Sequence, residues 1–435
     1  MSEPWSEISL SQLATITMGQ SPEASCVSTD ERGLPFLQGC AEFGARVPSP
    51  KLHCSPPLRV GKAGSVLISV RAPVGMTNLA DQDYCIGRGL GAVTARPEAA
   101  DSIFLLHAIE QNVGFLHRRS QGSTFLAIGS RELSALPVSA LPLEQQRRIA
   151  EILSTVDEAI EQTEALIAKY QQIKAGLMHD LFTCGLSPEA SAKGDVTWTL
   201  RPTRAQAPHL YKESPLGWIP KEWEVSKLRD KSSPVKPHIK TGPFGSSLKG
   251  EHWVENGRPV ITIGALGEGE LLTEGLLFVS EATAHRLREY QLRPGDVVFS
   301  RVADVGRSAV ICGEHDGWIM SSNLMRISLN QNLIVSGYLQ AQFAFDHRVK
   351  AQIRVKVNSG GRDVANGQIL NQLQFAWPRH EEQHVVLKRI SALDAYRRNV
   401  IDQQTKLLKL KHGLMQDLLT GRVRVKVAEP MKGAV

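Results

Sequence analysis

The sharpest chemical string in the chain is His380-Glu381-Glu382-Gln383-His384, which fits H-E-x-x-H. On a helix that spacing places two imidazoles one turn apart with a carboxylate base between them, the ligand set of a zinc peptidase. Against that reading, no third ligand follows at a familiar spacing, and Glu381 and Gln383 have counterparts, Glu144 and Gln146, in a second stretch without histidines. A helix N-terminus with acidic residues on its positive end accounts for the same residues. No G-x-x-x-x-G-K-[ST] phosphate loop is present, although Gly61-Lys62 resembles its end. Ser55-Pro56-Pro57-Leu58 lacks the polar residue and aromatic ring that an amino-methyltransferase needs around a flipped base. No G-x-S-x-G elbow organises a serine nucleophile. The residues therefore argue against catalysis by this chain.

What remains is positive charge at corresponding places. His117-Arg118-Arg119-Ser120-Gln121-Gly122-Ser123 in the first half matches the run from Arg354 and Lys356 to Gly360, Gly361 and Arg362 in the second. Basic side chains beside glycine and serine amides suit phosphate oxygens, because charge supplies affinity and backbone N–H groups supply geometry. Arg118, Arg119, Ser123, Arg354, Lys356 and Arg362 are the first candidate set; Arg71 and Arg301, in paired strand-to-loop motifs, are the second. A solvated basic surface explains the first set equally, and salt bridges within the domain would explain the second.

The elements that must position these residues come twice. Gly176–Thr183 (GLMHDLFT) recurs as Gly413–Thr420 (GLMQDLLT), an offset of 237 residues. In the same register Glu144 meets Glu381, Gln146 meets Gln383, Leu153 meets Ile390, Val156 meets Leu393 and Asp157 meets Asp394. Upstream, KAGSVLISVRAPVG ending at Gly75 resembles RPGDVVFSRVADVG ending at Gly306, so that Ser69 pairs with Ser300. PWSEISLSQL near the start resembles KEWEVSKL from Lys221. The order is domain, helix, domain, helix.

The helices follow from a 4,3 alternation of apolar residues. Leu153, Val156, Ile160, Ile167 and Leu177 mark the first seam, with Lys174 within it; Ile390, Leu393, Val400, Leu407 and Leu414 mark the second, with Lys411 within it. About 38 residues make each helix roughly 57 Å long, more than one domain needs, so the two should pack together or on another chain. Pro142 and Pro378 stand where proline sets a helix start. Each domain reads as short β-branched strands (Val66 to Val70, Val260 to Ile263, Val297 to Ser300, Val310 to Cys312) with an amphipathic helix near Asp101 to His117 and again near Ser336 to Val349. The expected boundaries are 1–143, a first globular domain; 144–184, a first long helix; 185–210, a proline-containing linker; 211–380, a second globular domain; 381–421, a second long helix; and 422–435, a basic tail opening on strand-like RVRVKV. The fold class is α+β with an internal duplication and two long coiled-coil helices.

Composition agrees with this plan. The 435 residues, 22% charged and 42% hydrophobic, can bury sizeable cores. The net charge of +6 permits a nucleic-acid partner. Six cysteines with no C-x-x-C pair suggest reduced thiols rather than a zinc ribbon or disulfide framework. Glu3 and Glu7 stand where a secretory signal would be basic and then apolar, and no stretch runs 18 apolar residues, so a cytoplasmic protein without membrane contact is expected.

These residues resemble a known family, the specificity (S) subunit of type I restriction-modification systems. KESPLGWIPKEWEV, from Lys212 to Val225, is similar to that family's signature at the entry to its second recognition domain. Pro142-Leu143-Glu144-Gln145-Gln146-Arg147-Arg148-Ile149 and both L-M-x-D-L-[FL]-T endings resemble its spacer helices, and Thr163-Glu164-Ala165-Leu166 resembles an element that some members repeat. The second helix departs from the pattern in its opening, Glu381-Glu382-Gln383-His384, and in its polar seam positions. The resemblance implies a non-catalytic, pseudo-two-fold subunit whose target-recognition domains, 1–143 and 211–380, are held apart by two antiparallel spacer helices, 144–184 and 381–421, and read the halves of a split, asymmetric double-stranded DNA site. It also implies two modification subunits carrying S-adenosylmethionine for adenine N6 methylation, and two restriction subunits using ATP and Mg2+ in phage defence. No cofactor is expected on this chain. The rival class is a duplicated coiled-coil scaffold without a DNA role.

Overall fold

The computed structural model describes residues 5–120, 127–190, 196–235, 237–244, 247–267, 270–358 and 364–426. The chain divides into two compact units, Met1–Ile167 with Asn399–Val435, and Ala168–Arg398. Both long helices, Leu143–Thr183 and His380–Thr420, have 41 residues and are each shared between the units.

In the first unit, strand Val66–Ser69 lies buried inside a four-stranded sheet in the order Ala14–Met18, Leu90–Ala95, Val66–Ser69, Thr77–Leu79, all antiparallel. A five-stranded sheet, in which Leu34–Leu37 and Tyr84–Ile86 run parallel, stands beside it in the chain. Helix Ser102–Gln111 begins at Asp101, whose carboxylate accepts from the Ile103 and Phe104 amides. The sequence suggested one helix through His117; instead the chain breaks at Asn112, whose side chain donates to the Ala108 carbonyl, and a second helix covers Val113–Arg119. The core joins these elements to Ile149 and Leu153 of the first long helix and to Met415, Leu418 and Leu419 of the second.

The second unit repeats the plan. Its four-stranded antiparallel sheet runs Ile239–Thr241, Leu324–Ile327, Val297–Ser300, Ser308–Val310. A further sheet pairs Arg258–Ile261 parallel with Ile319–Met320. Two strand limits differ from the sequence reading: Ile263 opens a 3-10 turn after Ile261, and Cys312 caps another after Val310. The expected helix from Ser336 to Val349 is two helices, Ser336–Phe345 and His347–Asn358, because the Asp346 carboxylate accepts from the Arg348 amide and starts the second. Here the core takes in Met178, Leu181 and Phe182 of the first long helix with Val386 and Ile390 of the second.

Residues 185–210, read from sequence as a linker, hold the hairpin Leu186–Ala190 with Val196–Leu200. The Leu186 amide donates to Glu382 Oε1 at 2.7 Å, and Arg389 donates to the Trp198 carbonyl. These contacts dock the hairpin on the second long helix. Arg422–Lys426 form no strand, contrary to the strand-like reading of RVRVKV; the segment turns back instead, with the Val423 amide donating to the Asp417 carbonyl.

Candidate nucleic-acid interface

Each long helix is anchored at its start by the glutamine that the repeat singled out. Gln146, fully buried, donates to the Leu141 and Ala99 carbonyls at 2.9 Å and accepts from the Asp101 amide at 3.0 Å. Gln383 does the same with the carbonyls of Pro378 and Leu333 and the amide of Val335. One buried side chain thus ties the long helix to the start of the domain's amphipathic helix in both units, and satisfies backbone groups that would otherwise be costly to bury.

The opposite ends are also treated alike. Gly421, at φ +80°, follows the second long helix, and a Cβ there would lie 2.5 Å from the Trp5 ring. Gly185, at φ +66°, follows the first, and a Cβ there would lie 2.3 Å from the Trp223 ring. Each glycine takes the left-handed conformation that ends a helix, at a site with no room for a side chain.

The H-E-x-x-H residues are divided among structural tasks. His380 Nε2 lies 3.1 Å from the Gln331 carbonyl, and its ring meets that of His384 edge to face at 4.8 Å. Glu381 is exposed, whereas Glu382 is buried and receives Arg201 Nη1 at 2.7 Å and Trp223 Nε1 at 3.2 Å. Among the described residues no group of three His, Cys, Asp or Glu could hold a metal ion. All six cysteines are free.

The helix seams are buried or half-buried along their length. Leu153, Val156, Ile160, Ile390 and Val400 are buried, and Ile167, Leu177, Leu393, Leu407 and Leu414 are half-buried. In the first unit Lys411 Nζ lies 2.8 Å from Asp157 Oδ1, and Gln404 donates to Glu164 at 3.1 Å, so the two helices run antiparallel. In the second unit Lys174 Nζ lies 2.6 Å from Asp394 Oδ1. The two ion pairs are the same pair by repeat position.

The two basic candidate sets lie on neighbouring elements in the first unit. There His117 Nε2 lies 2.8 Å from the Val74 carbonyl, which brings the helix carrying Arg118 and Arg119 against the loop that begins at Arg71. Arg71, Arg118 and Arg119 are exposed, and none has a carboxylate partner among the described residues; the Arg119 guanidinium covers the Phe115 ring at 3.7 Å. In the second unit Arg301 makes no ion pair among the described residues. Its Nε donates to the Ala365 carbonyl at 3.4 Å, and its guanidinium faces the Phe244 ring at 5.2 Å. Arg354 is exposed and Lys356 half-buried on helix His347–Asn358. Ser123 and Arg362 lie outside the described residues. The sequence reading missed Arg307 and Lys350, which stand by Arg354; only their charge and their nearness to the repeated loop could have pointed to them.

Fold and site define the class of internally duplicated proteins with two α+β domains joined by two long packed helices. A sequence profile described as "Type I restriction modification DNA specificity domain" matches residues 2–172 and again 220–410. The chain belongs to that family, the specificity subunits of type I restriction-modification systems. It is 36% identical over 183 residues to the MjaX specificity subunit of Methanocaldococcus jannaschii, a match covering 42% of this chain and 43% of that protein. With the MjaVIII specificity subunit of the same organism it shares 23% identity over 343 residues, 75% of this chain and 71% of the relative. The crystal structure of the type I S subunit from M. genitalium superimposes with a TM-score of 0.58 at 15% identity, over 95% of this chain and 96% of that one, a likeness of fold. No described helix is long and apolar enough to cross a membrane.

Proposed function

We propose that this chain reads a bipartite, asymmetric double-stranded DNA sequence and positions two adenine-N6 methyltransferase subunits and two ATP-dependent restriction subunits on it, in the cytoplasm. The observation that carries the reading is the repetition of basic side chains at corresponding places in two units of one fold. Arg71, Arg118 and Arg119 in the first unit, and Arg301, Arg354 and Lys356 in the second, hold phosphates and set register. Bases are read by loops that differ between the units, so the half-sites differ. The pseudo-two-fold arrangement presents two similar surfaces to two copies of a partner. Leu166 and Ile173 on the first long helix, and Tyr396, Leu408 and Leu410 on the second, leave apolar side chains exposed and support partner docking there. S-adenosylmethionine, ATP and Mg2+ belong to the partners.

The test is to express the chain with its modification partner in a methylation-free host and map N6-methyladenine across the genome. A single split motif with unequal halves and a fixed gap is the expected result. An assembled complex that leaves no new methylation would refute the reading. At residue level, Arg118→Ala weakens binding of the assembled complex at every site and reduces the slope of log affinity against log salt by about 1. A change only in the preferred base would remove Arg118 from the phosphate contacts.

A further inference from the structure

The loop that follows the buried central strand is closed in the first unit and open in the second. In the first, Val113 fills the space over Gly75, where a Cβ would lie 2.0 Å from Val113 Cγ2, and His117 holds the Val74 carbonyl. In the second, the nearest atom to a Cβ on Gly306 is Ile353 Cδ1 at 3.9 Å. Between that loop and helix His347–Asn358 is a cavity of about 750 Å³. Its volume lies within the roughly 300–1,000 Å³ of small-molecule sites.

The chemistry of its walls is one-sided. Arg307, Lys350 and Arg354 bring three cations to it. Asp304, the one carboxylate among its described lining residues, stands 3.8 Å from Arg307, whereas Lys350 and Arg354 have no carboxylate partner among the described residues. Two such cations brought to one cavity wall suit an anionic ligand, whose charge-assisted hydrogen bonds are the strong ones. Ile353 and Phe345 supply an apolar side. Ala303 on the rim adopts φ +59°, the one positive φ among the described non-glycine residues; such a conformation is held only where the surroundings enforce it.

We propose that this cavity binds a nucleotide, its phosphate held by Lys350 and Arg354 and its base against the apolar side. Two sources carry that chemistry: a nucleotide of the DNA strand, an arm that rests on the function proposed above, and a free mononucleotide, an arm that does not.

The experiment is calorimetric titration of the full chain with adenosine monophosphate, with and without saturating target duplex. The double variant Lys350→Gln/Arg354→Gln weakens nucleotide binding about tenfold or more, since charge-assisted contacts are lost. Ala344→Trp, which fills the cavity from its half-buried wall, abolishes binding with an unchanged unfolding midpoint. If Ala344→Trp disturbs folding, the charge variant at exposed positions still decides. Duplex that excludes the nucleotide assigns the site to the DNA strand; simultaneous binding assigns it to a free nucleotide. No measurable binding, or binding indifferent to the charge variant, overturns the proposal. Failure of the DNA reading itself appears separately, as loss of the methylation motif, because the nucleotide titration requires no DNA.

Discussion

Glu382→Ala lowers stability by about 3 kcal/mol, the low end of what breaking a buried ion pair costs. Arg201 is 4% and Glu382 2% exposed, and the carboxylate also accepts from Leu186 and Trp223, so its removal leaves a buried guanidinium and two unpaired donors. Glu222, half exposed and 2.6 Å from Arg201, keeps part of the charge compensated, which sets the estimate at the low end. Burial opposes the charge on Arg201, but the Glu382 and Glu222 carboxylates outweigh it and hold its pKa above the ordinary value. The group is therefore charged at every pH at which the protein folds. Amide hydrogen exchange should show Leu186–Ala190 and Val196–Leu200 losing protection first. The double variant Arg201→Met/Glu382→Leu recovers much of the loss, because no orphaned charge remains. A double variant as unstable as the sum of the single ones would mean that packing, not charge, dominates the site.

Lys411→Met costs about 2 kcal/mol, whereas Lys174→Met, at the corresponding position, costs about 1 kcal/mol or less. Lys174 has one carboxylate, Asp394, and faces the Phe345 ring at 4.8 Å. Lys411 lies between two, Asp157 at 2.8 Å and Glu110 at 3.5 Å, and buried His107 touches both, at 3.6 and 3.3 Å. Removing Lys411 leaves two partly buried carboxylates with only that imidazole between them. Burial would raise the Glu110 pKa, but the His107 hydrogen bond and the Lys411 charge outweigh it and hold it below its ordinary 4.5. A depressed carboxylate stabilises the fold above its unfolded pKa and loses that contribution as pH falls through the folded value. Burial likewise opposes the Lys411 charge, yet Glu110 and Asp157 hold its pKa above 10.5, so its contribution is complete below that value and lost only on strong alkalinisation. Denaturation at pH 7 and pH 4 should show the Lys411→Met penalty shrinking on acidification. An equal penalty at both pH values would remove charge as its cause.

The duplication, the α+β class, the long helices and their seams were legible in the residues because each is a matter of period and register along the chain. The repeat even aligned Asp157 with Asp394 and placed Lys174 and Lys411 at one seam position. It could not tell which partner each would take. A lysine 17 positions after an aspartate on the same helix cannot reach it, and antiparallel packing instead joins Asp157 to Lys411 and Lys174 to Asp394. The docking of strands Leu186–Ala190 and Val196–Leu200 was invisible for a similar reason: Arg201 and Glu382 stand 181 residues apart, and only burial together makes their charges complementary. Cations were countable in the sequence, but which of them stay unpaired was not. Arg301 turned to a ring and a carbonyl, while Lys350, which the sequence did not single out, lines a cavity. Periodicity is a property of neighbours in the chain, so the sequence by itself determined the elements and their duplication; pairing, burial and the asymmetry between two copies of one loop depend on neighbours in space, and only the tertiary structure decided those.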